Sequence, residues 1–473
     1  MTRPETAHLR SPRIHADGPG PPGAACTMLA DLCDTLAREP GFHGAPAAGL
    51  ADLAAHCREP LRVAVTGDVS MGKSTLVNAL LRNKRAATAR AETTARVTWY
   101  RHPALAPSRV PDRSRHEEAI LFPLADRLIL VDTPGVNTGS GAQECTEEML
   151  RGATGAAAST TVVLYLCGAT VGAGARERFQ RFADLTGGDV TRGLNVVLIG
   201  SKADEVDVPF PRIEENLLHD AGLPGACAVA VSQQLAETAR CGLLDTAHLD
   251  VLAAVAADPI LTAAAPYGWD MLRAMWADQG RERWELDTLE AVVPTTFGVV
   301  AALPAIRAGS VTGVADLARV WEELSGLEAL EALLDRMVAH GDALTVHAVT
   351  ARLLRMAPAW GAAQVRRVRR GLAELTASEA FARVDRSVAA LALDSPALAH
   401  VPPNERHTAI RVLRGQPTGV SRDAVAEAWQ ERALLPQRSV LARYVAEIVV
   451  HVCLAEPERT PTLDEGDPVR RRE

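Results

Sequence analysis

Lysine is nearly missing: only Lys73, Lys84 and Lys202 occur among the 50 basic residues of this 473-residue chain. Positive charge is written as arginine almost everywhere else, so a persisting lysine marks a place where a planar guanidinium does not serve. A basic excess is missing too. With 58 acidic residues and a net charge of -8, a surface built as a trap for nucleic acid is excluded, and no nucleic-acid partner is expected. No apolar run reaches the roughly 18 to 20 residues that cross a bilayer, and the N-terminus lacks the apolar core of a signal peptide. The expectation is a soluble, cytoplasmic protein. Eight cysteines occur without a C-x-x-C pair or histidines at metal spacing, which reads as reduced thiols used as small apolar residues.

What is present falls into blocks. Residues 1–23 and 456–473 carry too little apolar content to pack and read as tails. Residues 24–60 hold two helical patterns, the first with Leu29, Leu32 and Leu36 at helical spacing before Pro40 and Gly41, the second ending before Pro60. From Arg62 onward, short apolar runs alternate with helix-length segments: 63–65, 128–131, 162–166, 195–199 and 228–231. That alternation predicts an α/β domain, a mostly parallel sheet with helices on both faces. Residues 97–100 and 119–122 read as an added hairpin at one edge. After about residue 234 only helix-period stretches follow, among them the stripe Val440, Leu441, Tyr444, Val445, Ile448, Val449 and Val452. The expected division is a nucleotide-binding domain over 61–340 and a helical neck or stalk over 341–455, completed by the helices of 24–60.

The strand at 63–66 runs into Gly67-Asp68-Val69-Ser70-Met71-Gly72-Lys73-Ser74 and then a helix opening at Thr75, the G-x-x-x-x-G-K-[ST] pattern in the context it requires. Its glycines let successive backbone N–H groups converge on one anion, and the helix N-terminus adds its dipole. Lys73 offers a compact ammonium to the terminal phosphates, and the Ser74 hydroxyl is a Mg²⁺ ligand candidate. At the end of the strand 128–131 stands Asp132-Thr133-Pro134-Gly135. Asp132 is placed to hold the Mg²⁺, and the Gly135 N–H to sense a γ-phosphate.

Ser201-Lys202-Ala203-Asp204 follows the strand 195–199. A carboxylate there accepts both the ring N–H and the exocyclic amine of guanine, which makes GTP or GDP the expected ligand. The Lys202 stem would lie along the base. Val231-Ser232-Gln233, after the next strand, is where a loop backing the base is expected, with Ser232 its candidate. Between the P-loop and Asp132, a switch residue must close on Mg²⁺ and the γ-phosphate; Thr94 is the choice and Thr93 its competitor. Val136 stands where Ras-like enzymes carry a water-orienting glutamine, so orientation must come from elsewhere. Arg82, Arg85, Arg90 and Arg96 are the arginines available to act in trans, against the plainer reading of a solvated basic face.

The runs G-D-V-S-M-G-K-S-T-L-V-N-A-L at 67–80, E-T-T-A-R-V-T-W-Y at 92–100, V-D-T-P-G at 131–135 and S-K-A-D at 201–204 resemble bacterial dynamin-like GTPases, most closely the actinobacterial isoniazid-inducible type. Residues 324–330 look like the helix that trails the GTPase domain in that group. The resemblance implies GTP hydrolysis and a head that dimerises across its nucleotide face, with itself or with another dynamin-like GTPase. It also implies nucleotide-linked membrane remodelling, with peripheral contact at the inner face of the cell membrane. By motif position Ser70 matches the family serine that manages charge in the dimer, whereas Val69 stands where eukaryotic dynamins carry a glutamine. Two rivals stay open: a switch GTPase serving a ribosome or signalling partner, and a non-catalytic GTP-binding subunit of a dynamin-like pair. Two membrane candidates, 291–306 and 440–452, read better as packed helices.

Overall fold

The computed structural model describes residues 20–68, 70–86, 97–105, 115–133, 160–186, 188–434 and 439–455. Seven strands form one sheet: β1 (Leu61–Gly67), β2 (Val97–Arg101), β3 (Arg115–Ala119), β4 (Leu128–Asp132), β5 (Val162–Cys167), β6 (Val196–Ser201) and β7 (Cys227–Val231). Their spatial order is β3-β2-β4-β1-β5-β6-β7. From β4 to β7 every pairing is parallel. Strands buried on both faces need no alternation of polar residues, which is why β1, β5 and β6 read as near-continuous apolar runs.

The edge departs from expectation. β2 runs antiparallel to β4, but β2 and β3 pair parallel, and the second strand is Arg115–Ala119 rather than 119–122. The two are therefore not a hairpin. The intervening segment, 102–114, is about a dozen residues long, enough for the crossover that parallel neighbours require.

Each sheet face has its own cover. Val63 and Val65 of β1, with Leu128, Leu130, Leu164 and Ile199, pack under the helices Lys73–Leu81, Leu327–Ala339 and Gly341–Met356. Ala64, with Ile129, Val163 and Leu198, packs under Ala173–Thr186 and Phe210–Ala221. The first of these cores continues into the helices Ala24–Arg38 and Ala45–Arg58 and into the C-terminal helices up to Val440–Ala455. N- and C-terminal helices thus build one helical body, tied by the half-buried Arg352–Asp52 ion pair at 2.9 Å. His56 Nε2, 2.8 Å from Thr161 Oγ1, joins it to the sheet. The stripe of the last helix faces inward, with Leu441, Val445, Val449 and Val452 buried.

Helices between Thr246 and Leu324 enclose a third core, centred on Trp269, Trp276 and Trp321. Each indole N–H donates to a backbone carbonyl, of Pro294, Glu282 and Gly298 respectively, so these bulky rings are buried without an orphaned donor. Within 291–306, Val293, Val299, Ala302 and Leu303 face this core. No single described helix is long and apolar enough to cross a membrane; two bent helix pairs pass that test together.

Candidate nucleotide-binding site

The carboxyl ends of β1, β4 and β6 lie along one edge of the sheet, and β1 sits where the strand order reverses between β4 and β5. In open α/β sheets this is where ligands bind. Gly67 leaves β1 at φ 145°, and a Cβ there would come 2.4 Å from the Leu166 carbonyl oxygen, so no other residue fits. Gly72 caps the helix Lys73–Leu81 at φ 77° in the left-handed region. Ser70 also holds positive φ, 64°, and its side chain is exposed. A non-glycine residue held there is a strained position of the sort found in ligand-clamping loops.

Three predicted residues converge. Buried Lys73 donates from Nζ to the carbonyls of Gly67 (3.1 Å) and Asp68 (2.7 Å), which keeps the ammonium folded over the P-loop. The Ser74 hydroxyl lies 3.3 Å from Asp132 Oδ2. Asp132 is buried, and its Oδ1 has no hydrogen-bond partner. Thr133 Oγ1 donates to the Val65 carbonyl at 2.9 Å, holding the end of β4 that carries Asp132 against β1. Burial pushes the Asp132 carboxyl up to about 6, with Lys73, Ser74 and the Thr133 backbone pulling the other way. Burial lowers the Lys73 ammonium, opposed by Asp132 and Asp68.

The raised carboxyl fixes a sign. Between its unfolded value of 3.8 and about 6 the folded chain holds a proton that the unfolded chain has released, so this group lowers stability as pH rises through that window. The cost reaches roughly 3 kcal/mol above pH 7. Asp132→Asn is expected to remove it: urea unfolding at pH 7 should show the variant more stable than the parent, with the two converging near pH 4. Equal midpoints at both pH values would contradict the assignment.

In the Ser-Lys-x-Asp loop, Lys202 holds φ 55° and its ammonium pairs with Glu205 at 3.0 Å. Asp204 is half-buried, and its Oδ2 accepts from Thr295 Oγ1 at 2.7 Å. The Ser201 hydroxyl is buried without a partner. Ser232 is occupied elsewhere: it is buried, and its hydroxyl caps the helix Gln233–Arg240 by accepting from Leu235 N. The residue beside it spans the site. Gln233 Oε1 accepts from Lys202 N at 2.9 Å while its Nε2 reaches the Met71 carbonyl at 3.5 Å, linking base loop and P-loop.

Two further supports come from distant positions. Arg178, on Ala173–Thr186, donates to Asp68 Oδ1 at 2.7 Å and to Tyr165 Oη at 2.9 Å, bracing the P-loop from its outer side. Asn78 accepts from the backbone N–H groups of Arg85 and Ala86 and donates to Ala86 O and Glu237. It thereby anchors the chain just before the segment that contains Thr93 and Thr94. Asn78 falls within the run 67–80 that carries the first motif, whereas Arg178 belongs to no motif that sequence spacing reveals. Thr75, half-buried, continues the P-loop helix. Val69, Thr93, Thr94, Arg90, Arg96, Gly135 and Val136 lie outside the described residues.

A P-loop at the switch point of a parallel sheet, an aspartate facing its serine, and a Ser-Lys-x-Asp loop at the next strand end define a nucleotide-binding domain of the GTPase class. Residues 62–186 match the family described as 50S ribosome-binding GTPase. The chain is similar to the isoniazid-induced protein IniC of two Mycobacterium tuberculosis strains, CDC 1551 / Oshkosh and H37Rv. Each is 32% identical over 225 residues, which cover 40% of this chain and 45% of the relative. The likeness to the isoniazid-inducible type read from the motifs is borne out over that span, and the chain matches less than half the length of these relatives. Two solved structures are also similar: the LeoA bacterial dynamin GTPase from ETEC, at 11% identity and TM-score 0.24 over 86% of this chain and 59% of that one, and an oligomerised bacterial dynamin pair, at 12% and 0.26 over 91% and 75%. Overlaps at those scores carry no weight for fold or function.

Proposed function

We propose that this chain binds and hydrolyses GTP with Mg²⁺ as a dynamin-like GTPase, and that its nucleotide cycle drives pairing of heads and remodelling of a membrane from the cytoplasmic side. The observation that carries the catalytic part is the meeting of Lys73, Ser74 and Asp132 at one sheet edge, with a buried carboxylate oxygen left unpaired. An orphaned buried carboxylate oxygen beside a hydroxyl fits a hard divalent cation. Among the described residues no cluster of three or more His, Cys, Asp or Glu gathers for a metal, so the remaining ligands would come from the nucleotide, water and Thr94. Bound there, Mg²⁺ supplies neutralisation of the charge that builds on the phosphate oxygens.

The chain's own residues bind and orient. The P-loop backbone and Lys73 hold the β- and γ-phosphates, Gly135 N–H meets the γ-phosphate, and Asp204 selects the base. Ser70, exposed at the mouth of the loop, is positioned for a partner head, either a second copy or another dynamin-like GTPase. For membrane contact, the inward-facing segments 291–306 and 440–452 are poor candidates, whereas Ile260, Tyr267, Met271 and Trp284 expose apolar side chains on the helices of 246–324.

A titration of labelled GTP against ATP with Mg²⁺, followed by turnover at rising protein concentration, tests this. The expected result is GTP binding with at least about a thousandfold preference over ATP, and a specific activity that climbs with concentration as heads pair. Equal affinity for the two nucleotides would end the proposal. Guanine-selective binding with no turnover at any concentration would leave the non-catalytic subunit in its place.

A further inference from the structure

Asp204 stands at the centre of base selection, yet a lone aspartate is a poor reader. The torsion about its Cβ–Cγ bond is broad, so a free carboxylate presents its oxygens over a range of tilts, whereas guanine's N1–H and 2-amino group require both oxygens in the plane of the ring. Something must hold that plane. Ser232, in the loop expected to back the base, has its hydroxyl engaged by Leu235 N, and Ser201 bonds nothing. The group that does reach the carboxylate comes from 91 residues away: Thr295 Oγ1 donates to Asp204 Oδ2 at 2.7 Å.

Thr295 is itself held. It sits between the helices Arg283–Val292 and Phe297–Arg307, and its neighbours are pinned on three sides. Trp269 Nε1 donates to the Pro294 carbonyl at 2.9 Å, Thr238 Oγ1 donates to the Val292 carbonyl, and Phe297 stacks on Phe210 with centroids 6.0 Å apart. Val293, between them, is buried. A hydroxyl fixed from the helical unit thus locks one oxygen of the carboxylate, while Oδ1 and the second lone pair of Oδ2 stay open to a ligand.

We infer that Thr295 is a positioning residue for base selection: its hydroxyl orients the Asp204 carboxylate so that it accepts two bonds from guanine, and the helical unit of 246–324 is thereby part of the nucleotide site. This rests on the reading of Asp204 as the guanine-selecting residue. Binding of fluorescent GDP to Thr295→Val, Thr295→Ala and Thr295→Ser, with competition by GDP, by inosine diphosphate (which lacks the 2-amino group) and by ADP, tests it. Loss of the hydroxyl is expected to weaken GDP roughly tenfold and inosine diphosphate less, narrowing the ratio between them. Thr295→Ser should behave as the parent, and kcat should stay near the parent value because the phosphate site is untouched. A merely structural role would weaken both nucleotides equally. The inference is overturned if any folded hydroxyl-free variant, judged by its circular dichroism, keeps the parent ratio. It is overturned equally if all hydroxyl-free variants fail to fold while Thr295→Ser, though folded, shows the narrowed ratio. A parent that fails to distinguish GDP from ADP is a different failure, which removes the role of Asp204 itself and this inference with it.

Discussion

Lys73→Ala is expected to lower GTP affinity at least about a hundredfold and to bring turnover to the uncatalysed background. Lys73 bonds to two P-loop carbonyls and its stem is buried, so unfolding curves must separate any loss of stability from the loss of binding. What disappears is a buried cation that, among the described residues, faces Asp132 across the loop. The carboxyl loses the charge that opposes its desolvation and should rise further above about 6. Arginine should not rescue. Its planar fork is wider than an ammonium and cannot fold back between Gly67 O and Asp68 O in the same space. Equilibrium binding of fluorescent GTP to the parent, Lys73→Ala and Lys73→Arg, with unfolding curves for each, checks this. A Lys73→Ala protein with parental turnover would remove the P-loop from the mechanism.

How much of this site is visible in the sequence depends on how far apart its parts lie along the chain. The P-loop is local: strand, glycine turns and helix fall within about twenty residues, and the left-handed φ at Gly72 is what the glycine in that pattern is for. Asp132 is 58 residues from Ser74, but it ends a buried parallel strand and Ser74 opens the helix that follows another, and strand runs are legible by their apolar continuity. The edge pair was misread because an apolar or β-branched run does not declare the direction in which it will pair. β2 is buried between β4 and the charged, partly exposed edge strand β3, and only the crossover length decides between hairpin and parallel neighbour.

Long-range polar contacts leave no trace at all. Arg178 meets Asp68 across 110 residues, and Thr295 meets Asp204 across 91. Neither pair has a periodic or compositional signal. Gln233 lies in the loop expected to back the base, where Ser232 is the candidate. Serine at a strand-to-helix junction satisfies a helix N-terminus, and that is where the Ser232 hydroxyl goes, so the bridging role falls to the longer side chain beside it. The third core went unseen for another reason. Helix-period stretches announce that a face is buried but not against what, and the tryptophans that organise 246–324 are spread over more than fifty residues.

Asp204→Asn is expected to exchange one base for another. Guanine offers two donors on its pairing edge, the ring N–H and the 2-amino group, and a carboxylate answers both as acceptor. An amide answers one and confronts the other with its own N–H, so GDP should lose about ten-thousandfold in affinity, the size seen where a buried polar group is left unmatched. Xanthine replaces the 2-amino group by a carbonyl and so presents one donor and one acceptor, the complement of an amide. Thr295 is no obstacle, since a hydroxyl both donates and accepts and can bond either atom of the new side chain. Xanthosine diphosphate should therefore bind Asp204→Asn with an affinity near that of GDP for the parent, at unchanged Mg²⁺ dependence because Ser74, in the helix Lys73–Leu81, and Asp132, at the end of β4, belong to other elements. Competition of the two diphosphates for both proteins measures the exchange. An asparagine variant that retains GDP within about tenfold would mean that the base is selected elsewhere.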